Sequence, residues 1–266
     1  MARSDKYYTL MNTDYCYFRK CCPDFGTEKC NYRCRQLDGM KWLIDLSNLP
    51  KKYRFPQKLS SDLIPNEDTK RYVEYLIGSI DHFVKKGYNA YFYGDVGTGK
   101  TSWAVKALTT YFNNIASSID HEVRGLYISV PSFLRDVKLS MTYRNEDFHE
   151  LLETIKECDL IVWDDIMQTD PTAFESQWLY SYINERIADG RANIYTSNIS
   201  PDELSKLDAR LHSRICHLSD CIEFEGNDVR YYNKFMVDIY ESENNSVDNS
   251  ENCDDGENKL NISDTT

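Results

Sequence analysis

The sequence has no long hydrophobic run, no excess of basic charge and no internal repeat. A membrane-spanning helix needs about 18 or more apolar residues in succession, and no stretch approaches that length. The N-terminal segment MARSDKYYTLMNTDYCYF lacks the continuous apolar core of a secretion signal. We therefore expect a soluble protein of the cytoplasm without a membrane partner, in which cysteines are thiols or metal ligands rather than disulfides.

The shortage of basic charge bears on nucleic-acid binding. The 266 residues include 31 Lys and Arg against 43 Asp and Glu, for a formal net charge of −12. Non-specific affinity for duplex DNA comes mainly from neutralising phosphates, so this balance excludes a protein that coats duplex DNA by charge alone. Residues 241–266 contain eight acidic residues and one lysine and almost nothing to bury. We expect this tail to be disordered, while a local basic groove before it stays compatible with the composition.

Three zones follow one another along the chain. Residues 1–48 are rich in cysteine and aromatic residues, residues 49–240 form the largest zone, and residues 241–266 are the acidic tail. The middle zone opens on LPKKYRFPQKL, whose two prolines predict an extended linker.

The rest of the middle zone predicts an α/β domain. Strand-like segments (NAYFYG, GLYISV, DLIVWDD and NIYTSN) alternate with helical segments, which we place at 67–86, 100–114, 132–156 (one or two helices), 173–189 and from 201. Segments such as LIVW are apolar on both faces, as a buried parallel sheet requires. The sequence therefore predicts a three-layer α/β domain with a parallel sheet, preceded by a small cysteine-rich region.

A phosphate-binding loop lies between the first strand and the next helix. Residues 94–101 read GDVGTGKT and match G-x-x-x-x-G-K-[ST] in full. Glycines let backbone amides converge on a phosphate, and the helix N-terminus adds N–H groups and partial positive charge. A flexible glycine turn is the alternative, which the flanking strand and helix disfavour. The α/β domain is therefore predicted to be a three-layer P-loop NTPase domain. The predicted nucleotide-binding residues are Gly94, Asp95, Val96, Gly97, Thr98, Gly99, Lys100, Thr101 and Ser102.

Within this motif we expect Lys100 to neutralise β- and γ-phosphate oxygens and Thr101 to coordinate Mg²⁺. A second motif, LIVWDD, ends in Asp164 and Asp165 about 60 residues later. Carboxylates at the end of a strand beside the P-loop strand meet the shell of the metal, so Asp164 is the expected magnesium ligand. Asp165 is then placed to polarise the attacking water. The alternative is an acidic cap of the next helix.

Two further positions complete the expected catalytic set. Asn198, at the end of NIYTSN, is expected to contact the γ-phosphate or the attacking water, with Thr196 as second choice and an ordinary strand-to-loop asparagine as the alternative. Arg210 and Arg214 share one helix face at i, i+4. One of them is expected to reach across an interface between self-associating subunits to the γ-phosphate, and a surface salt bridge is the alternative.

The order of these motifs resembles that of AAA+ ATPases of the DnaC helicase-loader type and the related IstB transposition ATPases. The similarity spans about residues 50–225 in YFYGDVGTGKTSWAVKAL, LYISVPSFL, LIVWDDI, NIYTSN and ELSKLDARLHSRI, and LPKKYR looks like the linker that those proteins place near the adenine. The paired aspartates are typical of this group. The resemblance assigns the sensor position to Asn198 and the arginine finger to Arg214, with Arg210 second.

The resemblance implies a slow, ATP-dependent protein that binds a replicative DNA helicase and single-stranded DNA and helps to place one on the other, in a bacterium or its phage. Two departures stand out. The glycine usual after the aspartate pair is replaced by Ile166-Met167-Gln168, and no second sensor arginine is evident after 225, although Arg230 is present.

Five cysteines lie close together near the N-terminus with no histidine among them: Cys16, Cys21, Cys22, Cys30 and Cys34. Four thiolates can fold a small segment around tetrahedral Zn²⁺, and we expect four of the five to do so. Their spacing is looser than that of paired C-x₂-C motifs, and an iron–sulfur cluster or unmetallated thiols are the alternatives. Some loaders of the family carry a zinc-binding N-terminal domain that docks on the helicase.

Single-stranded DNA binding needs a basic groove with stacking aromatics. Arg135, Lys138, Tyr143 and Arg144 fit that need, with a solvated helical face as the alternative. We expect weak binding that depends on ATP. Two other functions stay open: a transposition regulator of the IstB kind, which the acidic chain and cysteine-rich head disfavour, and a P-loop adaptor that binds ATP without hydrolysing it.

Overall fold

The computed structural model describes residues 34–54, 59–118, 122–140, 146–167 and 171–226, together with isolated positions between 16 and 30. The chain divides into two units, Met1–Asn227 and Asp228–Thr266, and every described residue belongs to the first. Cys21, Tyr143, Arg144, Arg230 and the predicted acidic tail lie outside the described residues.

Helices and strands alternate along the chain as expected. The helices are α1 (Arg35–Leu46), α2 (Glu67–Gly78), α3 (Ile80–Lys85), α4 (Lys100–Ile115), α5 (Val130–Ser140), α6 (Glu146–Glu157), α7 (Ala173–Ala188), α8 (Pro201–Leu207) and α9 (Ala209–Ile215). The strands are β1 (Asn89–Tyr93), β2 (Gly125–Ser129), β3 (Leu160–Asp164), β4 (Ala192–Thr196) and β5 (Asp220–Glu223).

Two predicted elements differ from the structure. The helix expected at 67–86 is broken at Ser79, where Gly78 and Ser79 place two weak helix formers in succession. The linker expected to be extended contains a 3-10 turn at Lys51–Tyr53, which follows Pro50. A second 3-10 turn lies at Ser61–Leu63.

The strands form one parallel sheet in the order β2-β3-β4-β1-β5. Strands β3 and β4 are buried along their whole length, as the apolar pattern on both faces predicts. Asp164 pairs with Ser129, and Thr196 pairs with Phe92. The carboxyl ends of β1, β3 and β4 therefore meet at one edge of the sheet, and the α/β prediction is confirmed.

Helices cover both faces of the sheet in three layers. Alternate strand residues point to opposite faces, so Leu160 and Val162 join one core cluster while Ile161 and Trp163 join the other. The first cluster contains residues of α1 to α4, and the second contains residues of α5 to α9. No helix in the described part of the chain is long and apolar enough to cross a membrane.

Helix α1 packs directly on the helix that follows the phosphate-binding loop. A Cβ on Gly39 would lie 1.9 Å from the carbonyl oxygen of Ala116, so only glycine allows the two backbones to approach so closely. The segment after α1 then reaches the free edge of β2, where the Tyr127 N–H donates to the carbonyl of Ser47 over 2.8 Å. This contact covers an edge strand that otherwise ends the sheet.

Candidate functional site

The loop between β1 and α4 has the backbone geometry of a phosphate-binding turn. Gly94, Gly97 and Gly99 have φ angles of 131°, 87° and 96°, a region that side chains with a Cβ rarely adopt. A Cβ on Gly94 would also lie 2.4 Å from the carbonyl oxygen of Phe224 at the end of β5. The loop is therefore constrained both by its own turn and by the neighbouring strand.

The remaining loop residues lie at the entrance of α4. Asp95 and Val96 form an exposed tip, and the Thr98 hydroxyl donates to the carbonyl of Asp95 over 2.9 Å. Ser102 is half-buried in the first helical turn. Lys100 is only 5% exposed, and its Nζ donates to the carbonyls of Gly94 and Asp95 over 2.7 and 2.6 Å. The ammonium group thus lies inside the loop, where the phosphate-binding prediction needs it.

Asp164 connects the loop to the sheet. Its Oδ1 accepts hydrogen bonds of 2.7 Å from the hydroxyls of Thr101 and Thr196. The residue is 5% exposed, and no salt bridge to it occurs among the residues that the structure describes. The two motifs that the sequence places 60 residues apart are therefore in direct contact. Hydroxyl and carboxylate oxygens are a donor set that suits Mg²⁺.

Asp165 turns away from the strand in a left-handed conformation, with φ of 59°. Its N–H donates to the Thr196 hydroxyl over 3.0 Å, and it lines a cavity of about 170 Å³ together with residues that include Leu134 and Met167. The aspartate pair does not cap the next helix, because Thr172 caps α7 with Glu175 in a capping box. That alternative reading of the motif is excluded.

The departure from the family pattern after the aspartate pair has a structural counterpart. Met167 has φ of 62°, a left-handed conformation in which glycine is usual. The side chain is buried and belongs to the core cluster on the α5 to α9 face. Its burial offsets a conformation that costs roughly 1–2 kcal/mol in a residue with a Cβ.

Thr196, rather than Asn198, is the strand-end residue that the structure brings to the aspartates. Strand β4 ends at Thr196, whose hydroxyl donates to Asp164 and accepts from the Asp165 N–H. Asn198 lies two residues further on, is half-buried, and makes no side-chain hydrogen bond within the described ranges. The second choice for this position is thus the better placed one.

The two arginines of α9 have different surroundings. Arg210 is exposed, donates to the Gln177 side chain over 3.2 Å and lies 5.6 Å from the centre of the Tyr180 ring. Arg214 is half-buried and has no ion pair with any residue in the described part of the chain. Arg210 thus resembles the surface-contact alternative, whereas Arg214 keeps an unpaired guanidinium.

Tyr127 belongs to the site and was missed in the sequence. Its hydroxyl donates to Asp164 Oδ2 over 2.5 Å, so this tyrosine holds the carboxylate oxygen that the two threonines leave. Burial, followed by the nearby charge of Asp164, raises the pKa of Tyr127. The segment GLYISV shows only that Tyr127 lies on a strand. Its contact with Asp164 depends on the adjacency of β2 and β3, which no local pattern records.

At the opposite end of the sheet, an aspartate is paired with arginines. Asp159 accepts from the hydroxyl of Tyr111 over 2.8 Å and forms ion pairs with Arg124 and Arg191 at 3.4 and 3.0 Å. Tyr111, Asp159 and Arg191 line a shallow cavity of about 300 Å³. Because two guanidinium groups neutralise the Asp159 carboxylate, this group is suited to stabilising the fold.

The cysteine prediction receives no support from the described residues. No group of three or more metal-binding side chains is found among them, and Cys21 is not one of them. Burial raises the pKa of the Cys16 thiol, and the nearby thiols of Cys30, Cys22 and Cys34 raise it further. Zinc binding by these cysteines stays a prediction.

Two of the three cations predicted to bind DNA, Arg135 and Lys138, lie on the exposed face of α5. Arg135 pairs with Asp136 at 3.5 Å, and Lys138 pairs with Glu175 at 2.8 Å. Both positive charges are thus matched by acidic neighbours, as on a solvated helical face.

Comparison with known proteins decides the family. The family described as the bacterial DnaA ATPase domain matches residues 71–218, more than half of the chain. The chain belongs to this family. The DnaA ATPase-domain match includes the loop, the aspartate pair, Thr196 and both arginines of α9. This match places the chain among the AAA+ ATPases, as the resemblance predicts, with the ATPase domain of DnaA as the matching family.

Curated relatives and solved structures agree with this assignment. The chromosomal replication initiator protein DnaA of Zymomonas mobilis is 27% identical over 125 residues, which are 47% of this chain and 24% of that protein. The corresponding protein of Borreliella burgdorferi is 28% identical over 123 residues, 46% of this chain and 24% of that protein. The chain thus spans about a quarter of the length of these relatives.

Three solved structures share the fold. A DnaC helicase loader superposes with a TM-score of 0.50 and 16% identity over 66% of this chain and all of that chain (100%). DnaI superposes with a TM-score of 0.52 and 21% identity over 71% of this chain and 99% of that chain. A replication initiator DnaA bound to AMPPCP and single-stranded DNA superposes with a TM-score of 0.53 and 19% identity over 68% of this chain and 52% of that chain.

Proposed function

We propose that this protein binds ATP with Mg²⁺ at the carboxyl end of the sheet and hydrolyses it slowly. The observation that carries the proposal is the buried Asp164 carboxylate, which receives hydroxyl donors from Thr101, Thr196 and Tyr127 but no salt bridge within the described residues. A buried carboxylate without a cationic partner is costly, and a bound metal removes that cost. Mg²⁺, when bound, supplies the positive charge that stabilises phosphate oxygens.

Each side chain of the site has a distinct role in this proposal. The loop amides and Lys100 bind the β- and γ-phosphates. Thr101 donates its hydroxyl hydrogen to Asp164, which leaves the oxygen lone pairs of Thr101 for the metal. Asp165, at the cavity beside the strand end, orients the attacking water and accepts its proton. Thr196 holds both aspartates in place through one hydroxyl.

Turnover experiments separate an ATPase from an ATP-binding adaptor. Lys100→Ala removes the phosphate-binding ammonium group, and Asp165→Asn removes the base while it keeps the side-chain shape. We expect ATP hydrolysis to fall at least about 100-fold in both variants, because each lacks a group that acts on the transferred phosphoryl group. If the wild type hydrolyses no more ATP than these variants, even with helicase and single-stranded DNA present, the protein is an adaptor.

We propose further that the active form is self-associated and that Arg214 acts on the nucleotide of a neighbouring subunit. Among the residues that the structure describes, Arg214 has no ion pair whereas Arg210 contacts Gln177, and this difference supports Arg214 over Arg210. Mixing Lys100→Ala with Arg214→Ala subunits tests it, because each supplies what the other lacks at a shared interface. Hydrolysis by the mixture above that of either variant alone supports action in trans. An unchanged rate in the mixture contradicts it.

The cellular role that we propose is loading of a replicative DNA helicase onto single-stranded DNA. The motif resemblance is to helicase loaders, and the fold matches a solved DnaC helicase loader chain along its full length. Initiation of chromosome replication is the second candidate, because the matching family and the curated relatives are DnaA proteins. The acidic chain favours the loader role over the binding of duplex DNA.

Reconstitution with the replicative helicase of the host distinguishes the two roles. A loader forms a complex with the helicase in gel filtration and increases the amount of helicase recovered on circular single-stranded DNA with ATP. An initiator binds duplex DNA instead and shows no complex with the helicase. Absence of both activities, with ATP hydrolysis intact, contradicts both roles.

A further inference from the structure

The Asp164 carboxylate is held from two sides by different parts of the chain. Oδ1 accepts from Thr101 of the phosphate-binding helix and from Thr196 of β4, each over 2.7 Å. Oδ2 accepts from the hydroxyl of Tyr127 on β2 over 2.5 Å. The Asp164 carboxylate accepts no further hydrogen bond within the described ranges. Tyr127 is thus the single described donor to that oxygen.

Tyr127 is itself held by the segment that follows α1. Its N–H donates to the carbonyl of Ser47 over 2.8 Å, and its ring lies 6.3 Å from the ring of Tyr53 at an angle of 51°. Tyr127 and Tyr53 are 8% and 7% exposed. Water therefore has little access to the hydroxyl, and the ring has little room to change its rotamer.

A phenol in this position is a lasting hydrogen-bond donor. The hydroxyl donates to Oδ2 of Asp164, and the burial of both side chains keeps water from replacing it. One donor on Oδ2 and two on Oδ1 fix the plane of the carboxylate. A fixed carboxylate presents its lone pairs to a metal or to a metal-bound water in one direction, and such orientation by outer groups changes metal affinity by about 10- to 100-fold.

We propose that Tyr127 is a positioning residue for ATP hydrolysis: it orients the Asp164 carboxylate toward the magnesium ion, and the segment 47–53 keeps it in place. This inference rests on the proposed function, because it assigns an action on the metal of that site. It also gives the segment 47–53 a role in hydrolysis, because Ser47 and Tyr53 contact Tyr127 directly.

The test compares Tyr127→Phe with Tyr111→Phe in the full chain. Tyr111 is 7% exposed and donates to Asp159 over 2.8 Å, so both variants remove one hydroxyl from a buried tyrosine–aspartate pair. A hydrogen bond to a charged group is worth about one factor of ten in an equilibrium constant or somewhat more. For Tyr127→Phe we expect a roughly ten-fold rise in the Mg²⁺ concentration that gives half-maximal ATP hydrolysis. Nucleotide affinity in EDTA is expected to stay unchanged.

Tyr111→Phe is expected to keep the Mg²⁺ dependence of the wild type while it loses a similar amount of thermal stability. Equal Mg²⁺ dependence in the two variants overturns the inference, because the hydroxyl of Tyr127 then contributes only to folding. If Tyr127→Phe does not fold, Tyr53→Leu replaces it. That variant keeps the hydroxyl but removes the ring that packs against Tyr127, and it must shift the Mg²⁺ dependence in the same direction by a smaller factor.

The wild type separates the inference from the proposal on which it rests. A wild type that binds ATP and hydrolyses it only with Mg²⁺ supports the proposed function, whatever the tyrosine variants do. A wild type without Mg²⁺-dependent hydrolysis fails the proposed function, and the role of Tyr127 falls with it.

Discussion

Two aspartates, one at each end of strand β3, receive a hydrogen bond from a buried tyrosine, yet their surroundings differ in charge. Asp159 precedes the strand, accepts from Tyr111 and forms ion pairs with Arg124 and Arg191. Asp164 ends the strand and accepts from Tyr127 and two threonine hydroxyls, with no arginine or lysine within salt-bridge distance in the described residues.

The difference separates a structural role at the amino end of the sheet from a binding role at its carboxyl end. Hydroxyl donors satisfy the hydrogen-bonding capacity of a carboxylate without cancelling its charge, whereas guanidinium groups do both. The negative charge of Asp159 at the amino end of the sheet is therefore balanced by arginines. The carboxyl end keeps a negative charge beside the lysine of a phosphate-binding loop, which is the arrangement that a nucleotide and its metal need.

The largest expected effect is on stability at the amino end. Arg186 is fully buried and donates to the Asn193 side chain and to the carbonyls of Ile155, Cys158 and Ala192 over 2.6 to 2.8 Å. Arg186→Met removes the guanidinium donor from all four buried acceptors, of which the Asn193 side chain keeps a second donor, Trp163. We therefore expect the free energy of unfolding to fall by about 3–5 kcal/mol. Urea denaturation measures this.

Nucleotide affinity is measured for the same Arg186→Met variant at 10 °C, where it stays folded. We expect it to equal that of the wild type, since Arg186 lies far from the carboxyl ends of the strands. Loss of affinity in the folded variant would show that the two ends are not separate.

The next effect contrasts the two aspartates directly. Asp164→Asn removes the charge that holds the metal, so Mg²⁺-dependent ATP hydrolysis is expected to fall at least about 100-fold. Asp159→Asn is expected to change that rate less than about 3-fold but to destabilise the fold by about 1–3 kcal/mol, because two partly exposed arginines lose their partner. Steady-state kinetics and thermal unfolding check both. The reverse pattern contradicts the division between the ends.

Within the carboxyl end, Thr196 and Asn198 can be ranked. Thr196→Val keeps the side-chain shape but removes the hydroxyl that binds both aspartates, and we expect a roughly ten-fold lower rate of hydrolysis. Asn198→Ala is the control and is expected to change the rate less than about 3-fold, since Asn198 makes no hydrogen bond with its side chain within the described part of the chain. A larger loss in Asn198→Ala would restore the original sensor assignment.

The smallest effect tests whether pairing, rather than location, decides what a carboxylate does. Glu175 lies beside the Asp165 cavity but is paired with Lys138, and that hydrogen bond, with the backbone of Thr172, lowers the pKa of Glu175 to about 2 from 4.5. A lowered pKa adds stability above the unfolded value, and this stability is lost as the pH falls from about 4.5 through about 2.

Glu175→Gln should therefore be less stable than the wild type by about 1 kcal/mol at pH 7, because it loses an ion pair and weakens a capping box. The difference should shrink as the pH falls below 4.5 and vanish near pH 2. Urea denaturation at several pH values provides the comparison. A difference that does not depend on pH would assign the effect to packing alone, and ATP hydrolysis at pH 7 should not change.

Local patterns predicted the fold class and half of the site. The loop 94–101 and the pair at Asp164 and Asp165 are contiguous motifs. The apolar strands predict a buried parallel sheet. Tyr127 and Thr196 come from strands on either side of β3. Thr196 is only the second choice from the sequence, and the identification of Tyr127 requires the order of strands in the sheet.

The sensor position shows how a strand boundary affects the choice of a site residue, and the Asn198 assignment stays a prediction. The pattern NIYTSN was extended by two residues beyond the end of β4, which shifted the strand-end position from Thr196 to Asn198. The break at Ser79 has a similar origin, because hydrophobic periodicity continues through two residues that favour the end of a helix. Boundaries depend on tertiary contacts that periodicity does not contain.

Equilibrium binding of a fluorescent ATP analogue, titrated with Mg²⁺ against the wild type and Asp164→Asn, tests the central claim most directly. The account predicts that Mg²⁺ tightens binding to the wild type and that Asp164→Asn loses this gain but keeps its affinity in EDTA. A wild type that binds no nucleotide with Mg²⁺, or an Asp164→Asn variant with an undiminished response to the metal, would contradict it.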